Sequence, residues 1–175
     1  VGHSIERAAM LEQIKTKNKT LRDRNKLLAD QRERIAAMHE ETEAAFQIST
    51  QLLARAAEIH DEETGNHIVR VNEYSYYIAK LLDMPNDWCD EVRYSAQLHD
   101  VGKMSVDAAV LKKKGRLDDD EREEMNRHTE YGYQILATSP RLIMGAEIAL
   151  NHHEKWDGTG YPNQVAGDNI PLSAR

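Results

Sequence analysis

The first fifty residues carry a seven-residue hydrophobic repeat and contain no proline. The repeat consists of four apolar residues spaced seven positions apart, Ile14, Leu21, Leu28 and Ile35. If these residues take the d positions of a heptad, Asn18 and Asn25 fall at a positions, where a buried Asn favours a parallel two-stranded coiled coil. The segment therefore predicts a parallel homodimer through a long helix. The same pattern also fits an amphipathic helix that lies on its own domain.

From residue 51 onward the apolar positions keep a helical spacing but become denser, as in helices that share one core. One helix is predicted over Trp88 to Leu98, and residues 154–170 are predicted to form a loop because glycine and proline concentrate there. Strand signals are almost absent. The chain is therefore predicted to be all-α, with a coiled-coil linker helix over residues 1–50 and a helical bundle over residues 51–175.

Proline and capping signals predict where the helices of the bundle begin and end. Pro85 closes one helix, because the residue before proline avoids the helical region. Asp118 with Glu121 three residues later predicts a capping box, and the helix that follows is expected to run through His128. Pro140 begins the helix that leads into the late pair of histidines.

Charge and cysteine content narrow the class of protein. The net charge of −7 divides into +1 for residues 1–50 and −8 for the remainder, which argues against binding to duplex nucleic acid. Cys89 is the one cysteine, so no internal disulfide can form, and a reducing cytoplasm is expected. There is no apolar run of about 18 residues and no signal peptide, so no membrane segment is expected. The termini at Val1 and Arg175 suggest a piece of a longer protein.

Five of the eight histidines are candidate ligands: His67 lies four residues after Glu63, His99 precedes Asp100, His128 follows an acidic helix start, and His152 and His153 end a helix. Adjacent helical residues point about 100° apart, so neighbouring ligands serve two ions more easily than one. Imidazole and carboxylate without thiolate favour iron or manganese over calcium or a Cys-rich zinc site. Taken singly, each feature is also common as a surface pair or a buried polar contact.

Other residues extend this pattern. Glu63 precedes His67 by four positions, so that both side chains would share one face of a helix. Lys103 follows His99 by four positions and is expected on the same side of a continuing helix. In the late loop, Gly158 and Gly160 allow a positive φ and a close backbone approach. Trp156 could stack on a nucleobase, or it could anchor the loop in the core.

The sequence resembles the HD-GYP domain, a branch of the HD phosphohydrolase superfamily. The matching pieces occur in the family's order and cover residues 50 to 175: "DEETGNHIVR", "HDVGK", the histidine of "MNRHTEYG", and "HHEKWDGTGYP". The resemblance implies an HD-type helical bundle that hydrolyses the bacterial second messenger cyclic di-GMP, and the expected product is pGpG, with further conversion to GMP left open. It also implies two or three divalent transition metal ions, iron or manganese, as cofactors.

The resemblance assigns roles to residues one by one. The implied metal ligands are His67, His99, Asp100, His128, His152 and His153, with Glu63 added in members that hold a third ion. Lys103 would contact the scissile phosphate, and Asp61 matches a position close to the metal centre. Asp157, Gly160 and Tyr161 would belong to a loop on the substrate side. A further aspartate that completes the metal site is expected on a helix after Arg175.

Partners and alternatives follow from the same reasoning. An upstream sensor or receiver domain is expected to act through the N-terminal helix, and a diguanylate cyclase of the GGDEF type is a candidate partner. Two other functions remain open at this point. The domain could be a catalytically silent receptor for cyclic di-GMP, or an HD hydrolase that acts on another phosphoester.

Overall fold

The computed structural model describes residues 2–58 and 66–175, and these residues contain helices and loops but no strand. The α-helices are α1 Gly2–Glu58, α2 Asn66–Leu81, α3 Asn86–Ala96, α4 Ala108–Leu111, α5 Asp119–Asn126, α6 His128–Leu136 and α7 Ile143–Asn151. Three short 3₁₀ helices cover Val101–Ser105, Pro140–Leu142 and Gly167–Asn169. The all-α prediction is confirmed. No helix in the described part of the chain is long and apolar enough to cross a bilayer.

The chain divides into two compact units, Val1–Phe46 and Gln47–Arg175. In the first unit every residue from 6 to 42 is exposed, including the apolar repeat, whose side chains are 45% exposed at Ile14 and 66% exposed at Ile35. No packing within this unit covers the repeat, although most helical stability in proteins comes from burial of an apolar face.

The second unit has two adjoining groups of buried residues. One joins the end of α1 to the centre of the bundle, where Leu98 and Leu136 are fully buried. The other lies between α2, α3 and α7 around Cys89, Val92 and Ile148. Histidines at the ends of α3 and α7 are therefore carried on elements that pack against the same core.

The capping box predicted for α5 is present. The Asp118 carboxylate accepts from the Glu121 N–H, and the Glu121 carboxylate accepts from the Asp118 N–H, both at 2.9 Å. The expectation that this helix runs on through His128 is wrong, because α5 ends at Asn126 and α6 begins at His128. The His128 side chain donates to the carbonyl of Met125, and the Thr129 hydroxyl donates to the carbonyl of Asn126. These side chains compete with the backbone N–H groups that would continue the helix, and the helix ends there.

The expectation of a continuing helix from His99 to Lys103 is also wrong. Helix α3 ends at Ala96, and the chain turns into the 3₁₀ helix Val101–Ser105. Gly102 explains the change, because a Cβ there would lie 1.9 Å from the carbonyl oxygen of His128 and 2.4 Å from the N atom of Gly132. The backbone of this turn thus rests directly on α6, which sets Asp100 beside His128.

Candidate metal centre

Three histidines are held in the same way by the carbonyl three residues earlier. The Nδ1 atoms of His99, His128 and His152 lie 2.9, 2.7 and 3.0 Å from the carbonyl oxygens of Ala96, Met125 and Ala149 respectively. These carbonyls belong to the last turns of α3, α5 and α7, where backbone acceptors lack helical partners. A carbonyl can only accept, so each Nδ1 carries a proton, and Nε2 presents a lone pair when the ring is neutral.

The Nε2 atoms of these imidazoles converge on Asp100. Nε2 of His99 lies 3.1 Å from Oδ2, and Nε2 of His128 and His152 lie 3.3 and 3.6 Å from Oδ1. The Nε2 atoms of His128 and His152 are 3.3 Å apart. Asp100, His128, His152 and His153 each offer one ligand atom within 4.8 Å of the others. When the rings are neutral, these atoms form a compact set of lone pairs.

The donor set fits a cation. Asp100 Oδ1 is buried and has no hydrogen-bond donor among the described residues when the nearby rings are neutral. A buried carboxylate oxygen without a partner is costly, and so are acceptor atoms that face one another. A transition metal ion would satisfy all of them at once, since imidazole and carboxylate are its usual ligands. The site therefore suits such an ion in the chemistry of its donors.

The other oxygen of Asp100 faces a second group of side chains. Oδ2 contacts His99 and lies 3.0 Å from the Nζ of Lys103. The ring centroid of His67 lies 5.7 Å from that of His99. These four side chains share the lining of one small cavity of about 10 Å³, which is roughly the space one water-sized sphere needs. Asp100 thus stands between two neighbouring groups of potential ligands.

The electrostatics of the cluster keep Asp100 ionised. Burial alone would raise the pKa of Asp100, but contacts with His128, His152 and His99 outweigh it and hold the pKa well below its usual range. Burial lowers the pKa of His152. Burial and the neighbouring imidazoles of His152 and His128 lower the pKa of His153 to about 4. For His99, burial lowers the pKa but the adjacent Asp100 more than compensates, so the pKa is raised.

His153 and the loop after it form one side of the site. The ring of Tyr161 stacks on His153 with centroids 4.6 Å apart and planes inclined by 19°. Gly160 permits this fold, because a Cβ there would meet the Cα of Glu154 and the N atom of Lys155 at 2.5 Å. Gly158 has a φ of +77°, as expected of a glycine turn. The loop therefore folds back on the histidine pair.

Two further loop residues lie at the surface. Asp157 is exposed and accepts from the N–H and hydroxyl of Thr159, and this contact lowers its pKa. Trp156 is 63% exposed, and the guanidinium of Arg175 lies 5.9 Å from its ring centroid. The interpretation of Trp156 as a core anchor is therefore wrong. Backbone contacts of Gly160 hold the loop in its place.

Sequence reasoning left one loop residue without a role. Glu154 Oε1 accepts from the Asn163 N–H at 2.7 Å and so closes the loop, while its Oε2 is buried without a partner among the described residues. In the sequence, the position of Glu154 between a histidine pair and a glycine turn could have indicated this role. Two predicted site residues, Asp61 and Glu63, lie outside the described residues.

Residues 51–175 match the HD domain family. The chain belongs to the HD domain family. The matched residues include every histidine and aspartate of the cluster described above. The names of curated relatives, such as a cyclic di-GMP phosphodiesterase, agree with the resemblance to the HD-GYP branch.

Several curated relatives are cyclic dinucleotide phosphodiesterases. A 3′3′-cGAMP-specific phosphodiesterase 2 from Vibrio cholerae is 45% identical over 70% of this chain and 24% of its own length. A cyclic di-GMP phosphodiesterase from the same organism is 40% identical over 81% of this chain and 32% of its own. The cyclic di-GMP phosphodiesterase response regulator RpfG of Xanthomonas campestris is 34% identical over 97% and 44%. The chain thus spans less than half the length of these relatives.

Proposed function

We propose that this HD domain hydrolyses a cyclic dinucleotide, with cyclic di-GMP as the substrate and pGpG as the first product. The observation that carries the proposal is the convergence of the Nε2 atoms of three imidazoles on the two oxygens of Asp100. The names of the relatives support the substrate class, since they include both cyclic di-GMP and 3′3′-cGAMP phosphodiesterases.

The proposed metal ligands are His67, His99, Asp100, His128, His152 and His153, and the proposed ions are iron or manganese. Asp100 would serve two ions, because its two oxygens face different groups of imidazoles. When bound, the ions would supply an activated water at neutral pH and would offset the charge of the phosphoryl oxygens. This explains how a domain of net negative charge accommodates an anionic substrate.

Lys103 is the proposed cation for the scissile phosphate. Its Nζ lies 3.0 Å from Asp100, and its side chain is 17% exposed, so its charge is held at the edge of the cluster. In the reaction a water oxygen forms a bond to phosphorus, and the bond from phosphorus to the 3′ oxygen breaks. Lys103 donates a proton to the departing 3′ oxygen, and the proton released by the water restores the ammonium group. The product carries a 5′ phosphate and a free 3′ hydroxyl.

The loop from Glu154 to Asn163 would border the substrate. Asp157, Gly160 and Tyr161 are the residues proposed to shape that border. Asp157 is exposed at the tip, whereas Tyr161 packs on His153. Cutting the linear product again would need the same chemistry, so further conversion of pGpG to GMP is part of the proposal.

A substrate panel with matched variants tests this function. Protein loaded anaerobically with iron or manganese is incubated with cyclic di-GMP, 3′3′-cGAMP and a mononucleotide phosphoester. We expect turnover of cyclic di-GMP that Lys103→Ala lowers without loss of metal, and that Asp100→Ala abolishes with loss of metal. Tight binding of cyclic di-GMP without product at any metal loading would instead indicate a receptor. Preference for the third substrate would indicate another HD hydrolase.

We also propose that the N-terminal helix pairs with a second copy of itself and couples an upstream sensor or receiver domain to the site. Its apolar repeat is exposed along the described first unit, and Asn18 and Asn25 would fix a parallel register. Sedimentation should give a dimer that Leu21→Glu together with Leu28→Glu converts to a monomer. Exchange of exposed Lys19 and Lys26 for Glu, at b positions that face away from the seam, serves as the charge control. A wild-type protein that sediments as a monomer contradicts this part of the proposal.

A further inference from the structure

One imidazole of the cluster lacks the support that the other three share. His99, His128 and His152 each donate Nδ1–H to a carbonyl at a helix end. His153 makes no side-chain hydrogen bond within residues 2–58 and 66–175, although it offers a ligand atom to the same compact set. A ligand of a metal ion usually needs a neighbour that fixes its ring, because a freely rotating imidazole binds less tightly.

Tyr161 instead covers one face of the His153 ring. Its ring lies nearly parallel to the His153 ring at 4.6 Å, and its backbone N–H donates to the His153 carbonyl at 3.3 Å. Ring and backbone contacts therefore act on the same residue. Two features fix the loop that carries Tyr161, namely the backbone approach of Gly160 and the hydrogen bond from the Asn163 N–H to Glu154.

We infer that Tyr161 is a positioning residue for His153. Its aromatic ring fixes the orientation of the His153 ring, as a backbone carbonyl fixes each of the other three imidazoles. Since one face of the Tyr161 ring is covered by His153, that face is closed to a nucleobase. The inference deepens the proposed function and rests on the metal site within it. It gives the loop a role at the metal centre that does not require contact with substrate.

Metal affinity measured without nucleotide tests this inference. Metal-free intact protein is titrated with Mn²⁺ against a competing chelator, using Tyr161→Phe, Tyr161→Leu and the loop control Trp156→Leu. The ring account predicts that the Phe variant stays within about twofold of wild type and that the Leu variant binds at least about 10-fold more weakly. The Trp156 variant should match wild type, because Trp156 lies on the same loop but is exposed.

Kinetics separate positioning from stacking on a base. If Tyr161 acts through His153, saturating Mn²⁺ restores kcat of Tyr161→Leu and leaves KM unchanged. In a His153→Gln background, Tyr161→Leu should cause no further loss of Mn²⁺ affinity. Should the Leu variant lose its helical signal by circular dichroism, Tyr161→Met takes its place.

Three results would overturn the inference. They are wild-type Mn²⁺ affinity in Tyr161→Leu, equal losses in the Phe and Leu variants, and a raised KM that metal does not correct. Each of these results differs from failure of the proposed function. If the proposed function fails, wild-type protein binds Mn²⁺ but hydrolyses no cyclic dinucleotide, and the Mn²⁺ affinities of the variants can still be compared.

Discussion

Replacement of Gly102 by alanine is predicted to disrupt the site through the backbone alone. The added Cβ would lie 1.9 Å from the carbonyl oxygen of His128, whereas real Cβ contacts essentially never fall below 3.0 Å. The 3₁₀ turn and α6 must therefore separate by 3.0 − 1.9, or about 1.1 Å. Metal–ligand distances tolerate only about 0.2 Å. Movement of Asp100 away from His128 by this amount should weaken Mn²⁺ binding at least about 10-fold.

The stability cost of Gly102→Ala should be at least about 1–3 kcal/mol, the usual range for overpacking, because both partners of the clash are backbone. Urea denaturation of the metal-free protein, followed by circular dichroism, measures it. Gly145→Ala is the matched control, since its nearest contact would be the flexible Leu98 Cδ1 at 3.4 Å. Alanine should there be neutral or stabilising within α7. If both variants have equal stability and wild-type Mn²⁺ affinity, the reasoning about Gly102 is refuted.

Three further predictions concern single side chains. Asp100→Asn should destabilise the metal-free fold, because the contacts that lower the pKa of Asp100 favour its ionised form, and Mn²⁺ affinity should fall. His153 in metal-free protein should titrate near pH 4, as measured by NMR of its ring nitrogens. Because the unfolded imidazole takes up its proton near 6.5, the folding stability contributed by His153 is lost as pH falls from 6.5 to about 4. Asp118→Ala should cost about 1 kcal/mol through loss of the capping box, with Mn²⁺ affinity unchanged.

Each of these predictions has a contradicting outcome. A metal-free Asp100→Asn protein as stable as wild type would mean that the neighbouring imidazoles do not favour the ionised form of Asp100. A His153 midpoint near 6.5 would mean that the ring is open to solvent. His153→Gln should flatten the loss of urea stability between pH 6.5 and 4, and an unchanged loss would remove the assigned cause. Weakened Mn²⁺ binding in Asp118→Ala would show that α5 controls the site more closely than its exposed N-terminus suggests.

Local signals made much of the fold predictable. The capping box at Asp118 and Glu121 depends on residues three positions apart, so the sequence contains both partners. Pro85 was expected to end the preceding helix, and α2 does end before it, at Leu81. The end of α5 was harder to predict, because the side chains of His128 and Thr129 compete for the carbonyls of its last turn. A helical pattern of apolar positions does not reveal that competition.

The site was predictable as a set of residue types but not as an arrangement. Adjacent His99 and Asp100 indicated ligands for more than one ion, and the structure has the two oxygens of Asp100 facing different imidazoles. The pairing of His153 with Tyr161 depends on how the loop folds back, which no spacing along the chain specifies. The exposure of Trp156 follows from the same fold and could not be read from its type.

Inward-facing imidazole nitrogens and Asp100 are proposed to hold a transition metal centre. X-ray absorption on anaerobically purified protein, combined with inductively coupled plasma mass spectrometry, measures both the bound metal and its ligands. We expect bound iron or manganese with an imidazole scattering signature, and loss of that metal in His99→Ala and Asp100→Ala while helicity is retained. Unchanged metal content in both variants, or a metal spectrum without imidazole, would contradict it.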